Sequence, residues 1–318
     1  MNAIPSSTAS STRSQIDATG RIPAAGERAL VLGGGGSTGN AWLIGVLAGL
    51  YEAGLDVTTA DLTIGTSAGS TAAAQVAGAS PPDLLAAVLS ATLPVRTGPT
   101  GFDRRPTPNG PVINHLERTA AIIAAAEGPE DMRRRMAASA VEIDAASDGS
   151  WSAQWRATVT ARLQGQQWPE RTVLITAVDA HTGAPVVFDR HSGVDLVDAV
   201  AASTAGGPPY RIGERLYIDG GYRTNAENAD LAAGYGRVLV LSPFGGRSRA
   251  PLDWDMHLAA QVEELHALGS RVETILPDGN ALDAFGDNMM DLSRRPPAAR
   301  AGYDHGRALA ERLTEFWR

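Results

Sequence analysis

Two short apolar runs, each ending in a glycine-rich turn, constrain the fold of this chain more than any other feature. The first, Ala29 to Leu32, opens into the glycine loop Gly33 to Gly39, and the apolar segment after it is typical of a helix ending at Gly54. The second, Asp61 to Ile64, leads into Gly65-Thr66-Ser67-Ala68-Gly69 and then into a small-residue helix. Two successive strand–turn–helix units predict a mainly parallel sheet with helices on both faces.

The rest of the chain continues this alternation. Strands are predicted at 172–178, 185–188, 215–218, 237–241 and 272–276, and helices from about 194, at 255–268 and from about 297. Residues 112–164 are predicted to be mainly helical, and 95–168 is interpreted as a helical cap. Residues 1–27, rich in Ser, Thr, Pro and Ala, predict a disordered tail ahead of one α/β domain at 28–318.

Composition excludes several classes of protein. The 318 residues include 27 basic side chains, all Arg, and 35 acidic ones, so the net charge of −8 disfavours a nucleic-acid binder. The absence of Cys excludes a thiolate nucleophile, and the absence of Lys excludes a Schiff base and a phosphate-loop lysine. No apolar run approaches the roughly 18–20 residues that span a bilayer, and no signal-peptide pattern is present. We therefore expect a cytoplasmic or peripheral membrane protein.

Ser67 is the strongest candidate for chemistry. It lies in a G-x-S-x-G pattern between a buried strand and a small-residue helix, which is the context of a nucleophile elbow. Gly65 and Gly69 would let the backbone make the sharp turn without a side-chain clash. The simpler alternative is an ordinary helix cap bounded by glycines. The context favours Ser67 as a catalytic nucleophile.

The glycine loop permits two interpretations. The backbone N–H groups of Gly34, Gly35 and Gly36 lie at a predicted helix N-terminus, where they could stabilise an oxyanion. Residues 34–39 also satisfy the G-x-G-x-x-G pattern of dinucleotide-binding proteins. That fingerprint requires an acidic residue at the far end of the second strand, whereas Asp61 lies at its near end. The oxyanion interpretation is favoured, and dinucleotide binding is kept as an alternative.

A base for Ser67 is indicated by position rather than by residue type. None of the six histidines is marked by its surroundings as a partner. Asp219, by contrast, ends a short strand and is followed by Gly220 and Gly221, so its carboxylate would project from a strand end. A turn aspartate is the simpler alternative, because Asp-Gly is a common turn pair. Together with an elbow serine and a glycine loop, Asp219 is the predicted base.

The chain carries the glycine loop, the G-x-S-x-G serine and the Asp-Gly-Gly turn in that order. This arrangement resembles that of the patatin-like phospholipase family, and in particular its bacterial serine acyl hydrolases. The resemblance implies a three-layer α/β/α fold, a Ser67–Asp219 dyad without histidine, and phospholipase A-type hydrolysis of phospholipid or fatty-acyl esters. It implies no metal and no cofactor, and peripheral membrane contact is expected from such substrates.

One position departs from the pattern of the family. Family members commonly carry Arg or Lys just before the last glycine of the loop, where this chain has Thr38. A catalytically weak lipid-binding or interaction protein that kept the fold is therefore the alternative function. Trp151 and Trp155, four residues apart, would share a helix face, and core packing is favoured over a membrane interface for them.

Overall fold

The fold is described from a computed structural model, which covers residues 16–91, 115–163 and 167–318. The strands in these ranges are β1 (Gly26–Leu32), β2 (Leu62–Gly65), β3 (Thr172–Asp179), β4 (Pro185–Phe188), β5 (Tyr210–Ile212), β6 (Arg215–Asp219), β7 (Tyr235–Leu241) and β8 (Arg271–Ile275). The helices are α1 (Gly36–Glu52), α2 (Ala68–Gly78), α3 (Pro81–Ser90), α4 (His115–Ala125), α5 (Pro129–Ala145), α6 (Trp151–Arg162), α7 (Leu196–Ser203), α8 (Leu258–Ala267), α9 (Gly279–Phe285) and α10 (Arg295–Trp317).

The strands form one mixed sheet in the order β5-β6-β3-β2-β1-β7-β8, with β4 paired to β3. The five central strands from β3 to β8 are parallel, which confirms the predicted mainly parallel sheet. The hairpin partner β4 and the pair β5 and β6 run antiparallel to their neighbours.

Strand register brings two chain segments together across β3. Strand β2 ends at Gly65, which pairs with Ile175 of β3. Strand β6 approaches from the opposite direction and ends at Asp219, which pairs with Ala177 of the same strand. Because the two strands end within two residues of each other along β3, the turns that follow them meet at one place above the sheet.

Both faces of the sheet are covered, and alternate residues of the central strands enter different cores. Leu30 and Leu32 of β1 pack with α1, α2, α7 and α10, whereas Ala29 and Val31 pack with α8 on the other face. This two-sided burial explains why the strands are continuously apolar rather than alternating with polar residues. The predicted α/β/α layering is therefore confirmed.

Helix α10 lies against α1 with their backbones in close approach. A Cβ at Gly45 or Gly49 would overlap the backbone of α10, and a Cβ at Gly302 or Gly306 would overlap the backbone of α1. Glycines on both sides thus let the C-terminal helix reach the glycine loop that begins α1. No helix in the described ranges combines the length and apolar character needed to cross a membrane.

The described residues begin at 16, within the segment 1–27 that the sequence predicts to be a disordered tail. Ala18 is fully buried and its N–H donates to the Val187 carbonyl, while Arg21 forms an ion pair with Asp189 at 2.8 Å. These contacts attach the segment from residue 16 onward to the hairpin of β3 and β4. The part of the predicted tail before residue 16 lies outside the described residues.

The region interpreted as a cap, 95–168, contributes α4, α5 and α6 within the described ranges. These helices do not share one packing partner. Helix α5 packs against the ends of β3 and β6, whereas α6 packs on α7 and the larger core. The sequence did not predict β5 and α9, which are short. The helix predicted at 255–268 begins later than expected, because α8 begins at Leu258.

Candidate active site

Ser67 occupies the sharp turn between β2 and α2. Its backbone angles, φ 52° and ψ −115°, lie outside the regions that L-residues favour, so the turn stores conformational strain. A Cβ at Gly69 would overlap the Leu32 carbonyl oxygen, and one at Gly65 would lie 2.7 Å from the Ser70 Cα. Both glycines are therefore required by close backbone approach, which is the role assigned to them from the sequence.

The Ser67 side chain points to Asp219. Its Oγ donates to Asp219 Oδ2 at 2.7 Å, while the Gly221 N–H donates to Oδ1 at 2.8 Å. The Ser67 N–H donates to Ser203 Oγ at 2.9 Å, which ties the elbow to the end of α7. A Cβ at Gly220 would overlap Thr176 on β3, so glycine is required there for the strand end to pack.

The surroundings of Asp219 make its carboxylate a stronger base than a solvated one. Burial raises the pKa of Asp219 to about 6, although hydrogen bonds from Gly221 and Ser67 oppose the rise. A base with a pKa closer to neutrality accepts a serine proton more readily than one near 4. Among the described residues, no histidine makes a hydrogen bond to Ser67 or Asp219.

A buried polar cluster connects the two turns below the site. Thr66 Oγ1 and Thr176 Oγ1 lie 2.9 Å apart. Asn228 Nδ2 donates to Thr66 Oγ1 and to the Gly220 carbonyl, both at 3.0 Å. One amide therefore links the serine turn to the aspartate turn. Sequence reasoning did not identify Asn228, because a lone asparagine in a loop carries no motif.

The glycine loop lies beside the serine, but its three predicted oxyanion donors are not equivalent. A Cβ at Gly34 would lie 3.5 Å from the Ser67 Cβ, so the two turns are in contact. The Gly34 N–H already donates to the Ala226 carbonyl at 2.8 Å and is not available to a substrate. Within the described part of the chain, the N–H groups of Gly35 and Gly36 have no hydrogen-bond acceptor. Of the three predicted donors, Gly35 and Gly36 therefore have N–H groups free to bind an oxyanion.

Residues from the C-terminal part of the chain support the glycine loop. The Thr38 N–H donates to the Met289 carbonyl at 2.9 Å, and the Thr38 side chain is fully buried. Arg295 Nη1 donates to the Ser37 carbonyl at 2.8 Å and to Asn40 Oδ1 at 3.1 Å. The cation absent at Thr38 thus has a counterpart near the start of α1, although burial lowers the pKa of Arg295 to about 10.

A second buried carboxyl group lies under the loop. Glu227 is 1% exposed, accepts a 2.6 Å hydrogen bond from the Ser242 hydroxyl on Oε1, and has no partner for Oε2 among the described residues. A Cβ at Gly33 would lie 3.4 Å from its Cγ. Burial raises the pKa of Glu227 to about 7, so this side chain is largely protonated in slightly acidic solution.

A shallow pocket with a volume of about 20 Å³ lies next to the aspartate turn. Its apolar wall is formed by Ile122, Met136, Ala140, Ile143 and Ile218, and its polar lining by His115, Arg118, Thr119, Ser139 and Tyr222. Gly206 lines the pocket, and a Cβ there would be 3.9 Å from Asp219 Oδ2. The Asp219 carboxylate therefore lies close to the pocket without lining it.

Two other expectations can be compared with the structure. The rings of Trp151 and Trp155 stack with their centroids 5.9 Å apart and lie against the larger core. Trp155 Nε1 donates to the Ala201 carbonyl, so core packing is confirmed for them.

Asp61 Oδ2 accepts the N–H groups of Glu27 and Arg28 at the N-terminal ends of β1 and β2, which is the end of the sheet opposite the glycine loop. It is therefore not placed to bind a ribose beside the glycine loop, as the dinucleotide alternative would require.

Comparison with known proteins identifies the family. Residues 30–232 match the family model of the patatin-like phospholipases, which covers more than half of the chain and all of the site motifs described above. The protein is thus a lipid hydrolase at the level of its family. It belongs to the patatin-like phospholipase family, as the three motifs predicted.

Solved structures give more distant likenesses. VipD from Legionella pneumophila has a TM-score of 0.41 and 13% identity, with 91% of this chain and 67% of that chain covered. The type III effector protein ExoU has a TM-score of 0.35 and 14% identity, with 90% of this chain and 53% of that chain covered. This chain therefore spans about half the length of the ExoU structure. A search of curated proteins gave no match.

Proposed function

We propose that the protein is a phospholipase A-type acyl hydrolase that uses Ser67 as nucleophile and Asp219 as base. The observation that carries this proposal is the 2.7 Å hydrogen bond from Ser67 Oγ to Asp219 Oδ2 at a strained strand-to-helix turn. Such a bond supports the proposal, because Asp219 is then the nearest acceptor for the proton that the serine must lose during attack.

In the first half of the reaction, Asp219 accepts the Ser67 hydroxyl proton as Oγ bonds to the ester carbonyl carbon. The N–H groups of Gly35 and Gly36 donate to the oxyanion that forms, and one such donor contributes about 3–4 kcal/mol to the transition state in comparable enzymes. Asp219 then returns its proton to the leaving alcohol. An acyl-serine remains.

In the second half, a water molecule attacks the acyl-serine and Asp219 accepts its proton. Collapse of the second tetrahedral intermediate releases the fatty acid and returns the proton to Ser67 Oγ. The Gly221 N–H bond to Asp219 Oδ1 keeps the carboxylate oriented through both halves, because it leaves Oδ2 facing the serine. Thus one carboxylate serves as base and acid in turn.

The test is hydrolysis of p-nitrophenyl butyrate and of phospholipid vesicles by the wild type, Ser67→Ala and Asp219→Asn. Both substitutions should lower kcat/KM at least about 1,000-fold, because each removes a group that acts directly on the reacting atoms. Ser90→Ala and Asp304→Asn change the same residue types on α3 and α10 and should behave like the wild type. Wild-type turnover in Asp219→Asn would contradict the dyad.

The second candidate function, a lipid-binding protein with little turnover, is distinguished by the same proteins. It predicts a folded wild type that binds vesicles, hydrolyses none of the esters and does not react with a fluorophosphonate serine probe. The buried Thr38 side chain is the observation that motivates this candidate. The loop N–H groups do not depend on that side chain, and for this reason the hydrolase is the favoured conclusion.

A further inference from the structure

We propose that Met290 is a modification site at which oxidation of the thioether by hydrogen peroxide lowers hydrolysis reversibly. The sulfur lies against Gly36, whose N–H is a candidate oxyanion donor, and oxidation adds a hydrogen-bond acceptor to that sulfur. The inference rests on the proposed function and adds a form of regulation to it. It predicts that peroxide slows turnover by occupying the Gly36 N–H and not by unfolding the protein.

The segment between α9 and α10 brings Met290 to the glycine loop. A Cβ at Gly36 would lie 3.0 Å from Met290 Sδ and 2.9 Å from the Met289 carbonyl oxygen, so this segment packs against the loop backbone. The Thr38 N–H donates to the Met289 carbonyl at 2.9 Å, which attaches the segment to the start of α1. The Met290 N–H donates to Asn288 Oδ1 at 3.0 Å, which holds the turn itself. The sulfur therefore has a defined position beside the loop.

Met290 is also the most exposed methionine in the described ranges. It is 48% exposed, whereas three others are only 4–5% exposed, namely Met132, Met136 and Met256. Met289 is partly buried and packs against the larger core. The chain contains no Cys, so no thiol competes for the oxidant. Because oxidation of methionine follows the exposure of its sulfur, peroxide should react at Met290 before the other described methionines.

The modification requires hydrogen peroxide as its only co-reactant. A lone pair of the Met290 sulfur attacks one peroxide oxygen, so that an S–O bond forms and the O–O bond breaks. The sulfur is oxidised, and the peroxide is reduced. The leaving hydroxide takes the proton of the transferred oxygen and departs as water. The product is a sulfoxide, which methionine sulfoxide reductases convert back to the thioether, so the modification is reversible.

The sulfoxide oxygen would compete with the oxyanion of the substrate. Within the described part of the chain, the Gly36 N–H has no acceptor, and Gly36 is the residue that the sulfur contacts. A thioether sulfur is only a weak acceptor, whereas the sulfoxide is polar. A hydrogen bond from the Gly36 N–H to the new oxygen would leave Gly35 as the remaining donor of the pair. Because removal of one oxyanion donor lowers kcat about 100- to 1,000-fold, partial competition should lower it about 10- to 100-fold.

Turnover before and after treatment with peroxide tests the proposal. Wild type, Met290→Leu and Met289→Leu are treated with hydrogen peroxide, the oxidised residues are located by mass spectrometry, and p-nitrophenyl butyrate hydrolysis is compared with the untreated rate of the same protein. We expect kcat of the wild type and of Met289→Leu to fall about 10- to 100-fold with KM within about twofold. Met290→Leu should keep its own rate within about twofold. Methionine sulfoxide reductases with dithiothreitol should restore the wild type.

Two further readouts separate an occupied donor from a disturbed structure. The amide oxygen of Met290→Gln replaces the sulfoxide oxygen without an oxidant, and this variant should lose at least about fivefold in kcat. Its melting temperature should stay within about 2 °C of the wild type, because the side chain is exposed. In NMR spectra, the Gly36 amide signal should shift when the wild type is oxidised and stay unchanged in treated Met290→Leu.

The outcomes distinguish this inference from the proposed function. If the untreated wild type hydrolyses the ester and oxidation of Met290 leaves its rate unchanged, the regulation is contradicted and the hydrolase stands. Equal inactivation of the wild type and Met290→Leu would place the sensitive group elsewhere and overturn the proposal. An untreated wild type that hydrolyses no ester would contradict the hydrolase and its regulation together.

Discussion

The nucleophile side and the oxyanion side of the candidate site are held in different ways. Ser67 and Asp219 are positioned by close backbone packing: Gly69 against the Leu32 carbonyl and Gly220 against Thr176. The glycine loop also packs closely, because a Cβ at Gly35 would overlap Pro243, and it is held in addition by hydrogen bonds to distant residues. The Thr38 N–H donates to the Met289 carbonyl, and the Arg295 guanidinium donates to the Ser37 carbonyl. The first side lies within the family-matched residues 30–232, and these two supports of the second lie beyond them.

The two kinds of support differ in how narrowly they specify the residue type. A backbone clash permits one residue type, so the serine and aspartate turns are tightly specified. Hydrogen bonds from another part of the chain can be supplied in several ways, so the oxyanion side is open to tuning. Substitutions of the closely packed glycines on the nucleophile side should therefore affect folding, and those of the supporting residues on the oxyanion side should mainly affect rate or the pH dependence of stability.

Gly69→Ala should have the largest effect on stability. The new Cβ would overlap the Leu32 carbonyl oxygen, and relief of that overlap requires β1 and α2 to separate. We expect a loss of about 3 kcal/mol or more in the free energy of unfolding, measured by urea denaturation. The control is Gly279→Ala in α9, where a Cβ meets nothing within 4 Å and stability should change by no more than about 1 kcal/mol. Equal effects of the two changes would contradict the packing argument.

The substitution Glu227→Gln tests whether the buried carboxyl group under the glycine loop makes the stability of the folded protein depend on pH. The folded protein binds the Glu227 proton more tightly than the unfolded chain, since burial raises the pKa to about 7 from an ordinary 4.5. The contribution of this group to stability is thus complete below about pH 4.5 and is lost as the pH rises through about 7.

The glutamine variant should lack this loss, which is of the order of a few kcal/mol. Thermal unfolding of both proteins between pH 4.5 and pH 8 measures it, and Glu264→Gln on α8 is the control. The same pH dependence in wild type and Glu227→Gln would show that this carboxyl group is not the cause. The Ser242 hydroxyl can donate to the amide oxygen, so the variant should fold.

Arg295→Met should give the smallest of the three effects, and it should appear in turnover. The guanidinium donates to Ser37 and Asn40 at the start of α1, so its loss frees the end of the glycine loop. We expect kcat to fall about tenfold with KM within about twofold, because the loop acts on the transition state rather than on the bound ester. Arg300→Met on the same helix is the control. An unchanged kcat would show that the loop does not depend on this contact.

Much of the fold and the reactive part of the site could be predicted from sequence. Strands β1 and β2 are short apolar runs that lead into glycine-rich turns, and a strained turn such as that at Ser67 requires a local glycine pattern. The choice of Asp219 depended on its Asp-Gly-Gly context. Its approach to Ser67, however, depends on the opposite direction and the register of β6, which no local pattern encodes.

The supporting residues were outside the reach of sequence reasoning for a physical reason. Arg295, Met289, Glu227 and Asn228 act through contacts set by tertiary packing, and their neighbours along the chain give no indication of them. The same holds for Gly34, which satisfies the oxyanion pattern but donates its N–H to Ala226. Glu227 and Asn228 lie near the Asp219 motif in sequence, but a single buried polar residue has no recognisable spacing.

The measurement that tests the central claim most directly is the rate at which a fluorophosphonate labels the protein between pH 4.5 and pH 8, with the labelled residue located by mass spectrometry. We expect the label on Ser67, a rate that falls below about pH 6 as Asp219 is protonated, and a loss of at least about 1,000-fold in Asp219→Asn. Labelling at another residue, or an Asp219→Asn protein that is labelled as fast as the wild type, would contradict the Ser67–Asp219 dyad.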